Sequence, residues 1–118
     1  MRFILLFIIL IIQIYANQDV YNRGEMLFFA KGCSSCHGPA AEGSSTYPRL
    51  ANKKQAYLKK KLIDFRDGKA RSVSQQMMSQ FAEKLSDKNI KDLSYFLSHH
   101  KKIKYEDVDD DVLGGFGS

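Results

Sequence analysis

The apolar positions of this chain form one continuous run, followed by several segments in which apolar residues recur at helical spacing. The run is unbroken over positions 3–12. Behind it, residues 19–31 carry an apolar cluster on good helix formers, and Gly32 stands where a helix-ending glycine is common. This pattern predicts a first helix from Asp19 to Lys31.

A second amphipathic segment covers residues 52–65. Leu58, Leu62 and Phe65 recur at helical spacing. Asn52 is the expected N-cap and Gly68 the expected stop, while lysines occupy much of the remaining surface. We therefore expect a second helix from Asn52 to Phe65.

A third segment runs from about Asp87 to Lys101. Ser86 is suited to cap its start, and Ile90, Leu93 and Leu97 form one apolar stripe. No stretch alternates convincingly like a strand, and the links around 38–48 and 67–76 have loop composition. The predicted fold class is all-α, with three main helices.

Composition and charge divide the chain into three parts. It has 118 residues, 44% of them hydrophobic, and a formal net charge of +5, which limits it to one small domain. Residues 1–16 have a basic start, the apolar run and a small residue at Ala16, as a secretory signal peptide does; an uncleaved anchor is the alternative. Residues 17–105 form the domain, with 17 basic against eight acidic side chains. Residues 106–118, with five acidic residues and three glycines, are expected to form a disordered tail.

The candidate chemistry lies directly after the first helix, in Cys33-Ser34-Ser35-Cys36-His37. This C-x-x-C-H spacing is typical of covalent c-type haem attachment. Two thiols at this spacing can each add to one haem vinyl group, and the next residue places an imidazole near the iron. A thioredoxin-like dithiol, half of a zinc site and a structural disulfide are the alternatives. A dithiol motif would need a preceding strand, and a zinc site would need more ligands.

The sequence also resembles the class I cytochromes c, specifically the small single-haem bacterial periplasmic type. The resemblance covers residues 21–102 and depends on Gly24 and Phe28, on CSSCHG at 33–38, and on the segments at 47–69 and 75–98. It implies a fold of helices around one covalently bound haem c. It further implies that Gly24 lets the first helix cross the last closely, against Leu93 with Phe96 or Tyr95.

Haem iron takes two axial ligands, and His37 supplies one. The remaining candidates are Met26, Met77, Met78, His99 and His100. The resemblance favours Met78, seven residues before Leu85 of the Leu-Ser-Asp helix start, with Met77 as the runner-up. Met26 is expected in the core, and the two histidines on a solvated, basic helix end.

Other residues are expected to surround the haem. The resemblance implies that the carbonyl of Pro48 accepts the second ring N–H of His37 and so orients it; an ordinary loop-ending proline is the alternative. The expected core around the macrocycle consists of Tyr47, Leu50, Leu58, Leu62, Phe65, Phe81, Leu85, Leu93 and Leu97.

A six-coordinate iron has no open site, so these ligands predict a periplasmic one-electron carrier and not an enzyme. Respiratory redox proteins with acidic docking faces are the expected partners; nucleic acid is not, and the mature chain is expected to be a monomer without a membrane span. If Met78 does not bind iron, the alternative is a haem peroxidase or gas-binding protein.

The basic side chains that could face a partner, or simply be solvated, are Lys53, Lys54, Lys59, Lys60, Lys61, Lys69 and Arg71.

Overall fold

The computed structural model describes residues 1–100, and within them the fold is entirely helical. The elements are α1 (Arg2–Ala30), α2 (Ser34–His37), α3 (Gln55–Arg66), α4 (Val73–Ala82) and α5 (Asp87–Ser98). Residues 1–100 contain no strand, which confirms the all-α prediction. The acidic tail predicted for 106–118, the domain end at 105 and the predicted helix end at Lys101 lie outside the described residues.

Helix α1 is longer than the predicted first helix. The apolar run and residues 19–30 form one continuous helix of 29 residues. By length and composition this helix could cross a membrane, and its apolar window is exposed throughout. Only the second half packs on the domain, where Gly24 and Phe28 are buried.

The central packing contact is the crossing of α1 and α5. A Cβ atom on Gly24 would overlap the backbone of Asp92 and stand 2.5 Å from Cβ of Phe96. The Phe96 ring lies 5.7 Å from that of Phe28 and 5.1 Å from that of Tyr21, between ring centroids. The expected close crossing at Gly24 is confirmed, with Phe96 as the aromatic partner.

An ion pair supports the same crossing. The carboxylate of Asp92 on α5 is almost fully buried, and the guanidinium of Arg23 on α1 donates to it from Nε at 3.0 Å. Arg23 also pairs with Asp19 one turn earlier on α1. The hydrogen bond to Asp92 is the main cause that raises the pKa of Arg23 above its ordinary value.

Helix α3 begins later than predicted. Its N-cap residue is Lys54, so the prediction of Asn52 as the cap is wrong. Asn52 instead has a φ of +61° and donates its backbone N–H to the carbonyl of Leu97 at 2.8 Å, which ties the start of α3 to the end of α5. Gly68 follows the end of α3, as expected.

Helix α4 was not predicted. The sequence predicted a loop over 67–76, but the structure has a helix over Val73–Ala82. Ser72 is its N-cap, and the Ser72 hydroxyl accepts from the backbone N–H of Gln75. The many polar residues of this segment concealed the helix, which packs against α3. Met77 and Met78 therefore lie in a helix and not in a loop.

Helix α5 starts as predicted, with Ser86 and Asn89 forming a reciprocal capping box. Its apolar stripe is buried, including Ile90, Leu93 and Leu97. The rest of the buried apolar core comprises Phe28, Ala41, Ala51, Leu58, Ala82, Leu85 and Phe96.

Phe81, expected around the macrocycle, is 47% exposed on α4, and its contact with the haem stays a prediction. Two burial predictions are wrong. Met26, expected in the core, is 69% exposed because it lies on the side of α1 opposite the crossing. His100, expected at a solvated end, is buried with its ring 5.3 Å from that of Phe96, while His99 is exposed as predicted.

Candidate haem site

The C-x-x-C-H segment forms the short helix α2 immediately after α1. Gly32 turns the chain out of α1, and the backbone N–H of Cys33 donates to the carbonyl of Phe28. Cys33 and Cys36 are partly buried free thiols, with no disulfide between them. Burial raises the pKa of the Cys33 thiol above its ordinary value. The structure thus presents two free thiol groups on one helical turn.

His37 ends α2 and is 7% exposed. Its Nδ1 lies 2.8 Å from the carbonyl oxygen of Pro48, eleven residues later. A carbonyl can only accept, so Nδ1 carries the proton and Nε2 keeps its lone pair. The ring is therefore in the tautomer that can bind a metal through Nε2.

The loop after α2 folds back around His37 and places Pro48. The backbone N–H of Gly43 donates to the carbonyl of His37 at 2.8 Å, and that of Leu50 donates to Ala41 at 2.9 Å. Ala41 is fully buried at a φ of +52°. These internal hydrogen bonds fix the loop over 38–51, so the Pro48 carbonyl is held by backbone geometry.

Tyr47, expected in the core around the macrocycle, connects two of the candidate residues, a contact that the sequence did not specify. Its ring meets that of His37 edge-on, with centroids 6.3 Å apart. The pKa of Tyr47 is raised, first of all by a hydrogen bond with the Cys36 side chain. Tyr47 thus stands between the cysteine and the histidine of the motif.

The two candidate distal ligands lie in successive positions of α4. Met78 is partly buried, whereas Met77 is 51% exposed. No hydrogen bond links either residue to His37. The end of α4 approaches the cysteine turn, since Cε1 of Phe81 lies 3.9 Å from the position of a Cβ on Gly32.

These side chains fit a covalently attached haem. Two unpaired thiols, an imidazole with a free Nε2 and a thioether are the donors that such a group requires. Within residues 1–100, no three His, Cys, Asp or Glu side chains are grouped to hold a metal ion, so a zinc site is not supported.

Comparison with known proteins agrees with this chemistry. The sequence model of the cytochrome c family, described as "Cytochrome c", matches residues 21–101. Cytochrome c4 of Azotobacter vinelandii is 34% identical over 85 residues, covering 70% of this chain and 40% of that protein. Cytochrome c-554(548) of Halomonas halodenitrificans is 31% identical over 67 residues, covering 56% of this chain and 81% of that protein.

A solved structure shows the same fold. Reduced recombinant cytochrome c4 from Pseudomonas stutzeri superposes with a TM-score of 0.62 at 31% identity, covering 71% of this chain and 50% of that one. The chain spans half or less of the cytochrome c4 relatives it matches. Together, the family match, these relatives and the donor set identify the chain as a class I cytochrome c, an electron-transport protein that carries covalently bound haem c.

Proposed function

We infer that this cytochrome is a one-electron carrier in which Cys33 and Cys36 form the haem thioethers, and His37 and Met78 bind the iron. The observation that carries this proposal is the 2.8 Å hydrogen bond between Nδ1 of His37 and the Pro48 carbonyl. This bond holds the proton on Nδ1, so that the lone pair of Nε2 is available to bind the iron. It also makes the imidazole a stronger electron donor to the metal. Pro48 is thus a positioning residue.

Burial supports Met78 over the other methionines as the distal ligand. Successive residues of a helix point about 100° apart, so Met77 and Met78 cannot both face the domain. Met78 is the more buried of the two, and Met26 is more exposed than either. Met77 is the runner-up.

When bound, haem c supplies one iron that cycles between the ferric and ferrous states. His37 and Met78 would hold this iron through Nε2 and the thioether sulfur, which would leave no place for a substrate on the metal. A thioether donor favours the ferrous state and raises the reduction potential. We propose a carrier without enzymatic activity on these grounds.

We infer localisation and partners from the N-terminal segment and the charge of the chain. The positive start at Arg2, the exposed apolar half of α1 and the small residue Ala16 support export to the periplasm with cleavage after residue 16, which leaves the domain at 17–105 without a membrane span. The basic surface supports redox proteins with acidic faces as partners. We further propose that the carrier is a monomer, and that it binds no nucleic acid because it has no recognised nucleic-acid motif and is exported.

The test is the absorption spectrum of the exported holoprotein and of Met78→Ala, read at the weak far-red band that sulfur ligation gives ferric haem. Met78→Ala should lose the band while the haem stays covalently bound. Met77→Ala is the matched control and should keep it.

The opposite pattern would assign the ligand to Met77. A wild-type protein without the band, which binds carbon monoxide or cyanide at neutral pH, would instead support the open-site alternative, a peroxidase or gas-binding protein.

A further inference from the structure

A basic groove lies between α3 and the loop that leads to α4. It is a cavity of about 300 Å³ lined by Lys60, Lys61, Asp64, Phe65, Lys69, Arg71 and Gln75. Four of these residues are cationic and one is acidic. The groove therefore has an excess of positive charge, and its lining includes the aromatic side chain of Phe65.

The single carboxylate in the groove does not balance that charge. Lys60 and Lys69 approach Asp64 to 2.5 and 3.6 Å, and Lys60 is the main cause that lowers the pKa of Asp64. Within residues 1–100, Lys61 and Arg71 form no salt bridge. An anionic group in the groove would meet Lys61 and Arg71, which form no salt bridge within residues 1–100. It would also meet Lys60 and Lys69, which share the single carboxylate of Asp64.

The basic surface continues from this groove along α3 towards the end of α5. The Nζ atoms of Lys53 and Lys61 lie 5.6 and 5.8 Å from the centroid of the Tyr57 ring. The backbone N–H of Asn52 donates to the carbonyl of Leu97. We call this surface the α3 basic track, formed by Lys53, Lys60, Lys61, Lys69 and Arg71. It starts beside the last turn of α5.

The chain that leaves α5 carries a segment of opposite charge. Residues 106–111 read Glu-Asp-Val-Asp-Asp-Asp, five carboxylates that begin six residues after His100. Eleven extended residues, 101–111, reach up to about 36 Å, whereas the twelve residues of α3 measure about 18 Å. Residues 101–111 are thus long enough to reach along the length of α3.

From this charge complementarity and reach, we propose that the acidic segment 106–111 binds the α3 basic track of the same chain. Tethering gives the segment a millimolar effective concentration, so that weak exposed pairs suffice to populate the contact. An acidic partner would have to displace it. That consequence rests on the proposed function, but the contact itself does not.

A second basic groove provides the internal control. It lies between α1, α3 and α5 and is lined by Arg23, Lys59, Lys88 and Lys91 among others, with Asp87 and Asp92. Both of its carboxylates are in salt bridges, to Arg66 and Arg23. Two acids against four cations leave it less positive than the α3 groove.

The experiment compares backbone amide shifts of the reduced holoprotein ending at Ser118 with those of a neutral-tail variant. That variant carries Glu106→Gln, Asp107→Asn, Asp109→Asn, Asp110→Asn and Asp111→Asn. Shift changes should concentrate on residues 53–71, be absent at 87–91 and disappear in high salt, which screens exposed charges. Changes centred on 87–91, or no changes outside the tail, would overturn the proposal.

Zero-length carbodiimide crosslinking gives a second readout. In the wild-type monomer, tail carboxylates should form amides with Lys60, Lys61 or Lys69, and Lys88 and Lys91 should stay unmodified. Crosslinks found only between two molecules, or only to Lys88 and Lys91, would refute an intramolecular contact on the track. Neither readout uses haem ligation or electron transfer, so failure here and failure of the proposed function are distinguishable.

Discussion

Gly24 of α1 lies directly against the backbone carbonyl of Asp92 on α5, with no room for a Cβ atom between them. Replacing a helical glycine by alanine normally gains up to about 1 kcal/mol. Here the added methyl meets backbone, which cannot swing away, and overpacking costs about 1–3 kcal/mol or more. The crossing of α1 and α5 therefore depends on this glycine.

For Gly24→Ala, we expect a net loss of about 2 kcal/mol in the free energy of unfolding, because the overlap outweighs the gain in helix propensity. Urea unfolding of the holoprotein measures it. Glu25→Ala, one residue further on the exposed side of α1, is the control and should change stability little. An unchanged or raised midpoint for Gly24→Ala would contradict the crossing.

Removal of the Arg23 side chain should lower the free energy of unfolding more than any change at Asp19, because it leaves the Asp92 carboxylate buried without its cation. Asp19→Ala removes only the exposed end of the same network and should cost less than about 1 kcal/mol. In Arg23→Leu/Asp92→Asn the buried charge is gone, so the double variant should recover part of the loss. A double variant less stable than Arg23→Leu would show that the charge is not the cause.

Gly43→Ala should disturb the hydrogen bond between His37 and Pro48. Gly43 has a φ of +69°, and a Cβ there would stand 2.5 Å from N of Arg49 and 2.7 Å from the carbonyl carbon of Pro48. Since the bond strengthens the donor nitrogen of His37, we expect its loss to raise the reduction potential and to shift the Nδ1 proton resonance.

Gly68→Ala is the matched control for that experiment. Gly68 has a similar φ of +78°, but its Cβ would meet no atom within 4 Å. Both variants therefore carry the same backbone strain, and only Gly43→Ala adds the clash beside Pro48. Equal changes in potential in the two variants would assign the effect to strain alone.

His100 should make stability depend on pH. Burial is the main cause that lowers its pKa, Arg49 acts in the same direction, and Glu25 and Glu42 oppose them. The unfolded chain therefore binds the proton more readily, so stability is complete above about pH 6.5 and falls as the pH drops through the lowered folded value.

The check is the difference in urea midpoint between about pH 7.5 and about pH 5.5, on either side of an ordinary histidine pKa. The difference should shrink in His100→Gln and persist in His99→Gln, since His99 is exposed. If His99→Gln removes the difference and His100→Gln does not, burial of His100 is not its source.

The sequence alone indicated the helical class, the haem chemistry and three helix ends, namely the ends of α1 and α3 and the start of α5, because these depend on neighbours in the chain. The cysteine and histidine spacing of α2, the Ser86 cap and the apolar stripe of α5 are local patterns. Residue type and spacing are sufficient to specify them. Helix α4 was not predicted because its polar residues are compatible with a loop as well as with a helix. Its packing against α3, a long-range contact, favours the helix.

Long-range contacts required the tertiary structure. Burial of His100 against Phe96, exposure of Met26 and Phe81, and the contact of Tyr47 with Cys36 and His37 join segments that no local period relates. The sequence determined which groups the protein has for holding haem. The fold decided which of them face inward, because burial and hydrogen-bond partners depend on how helices far apart in the chain pack together.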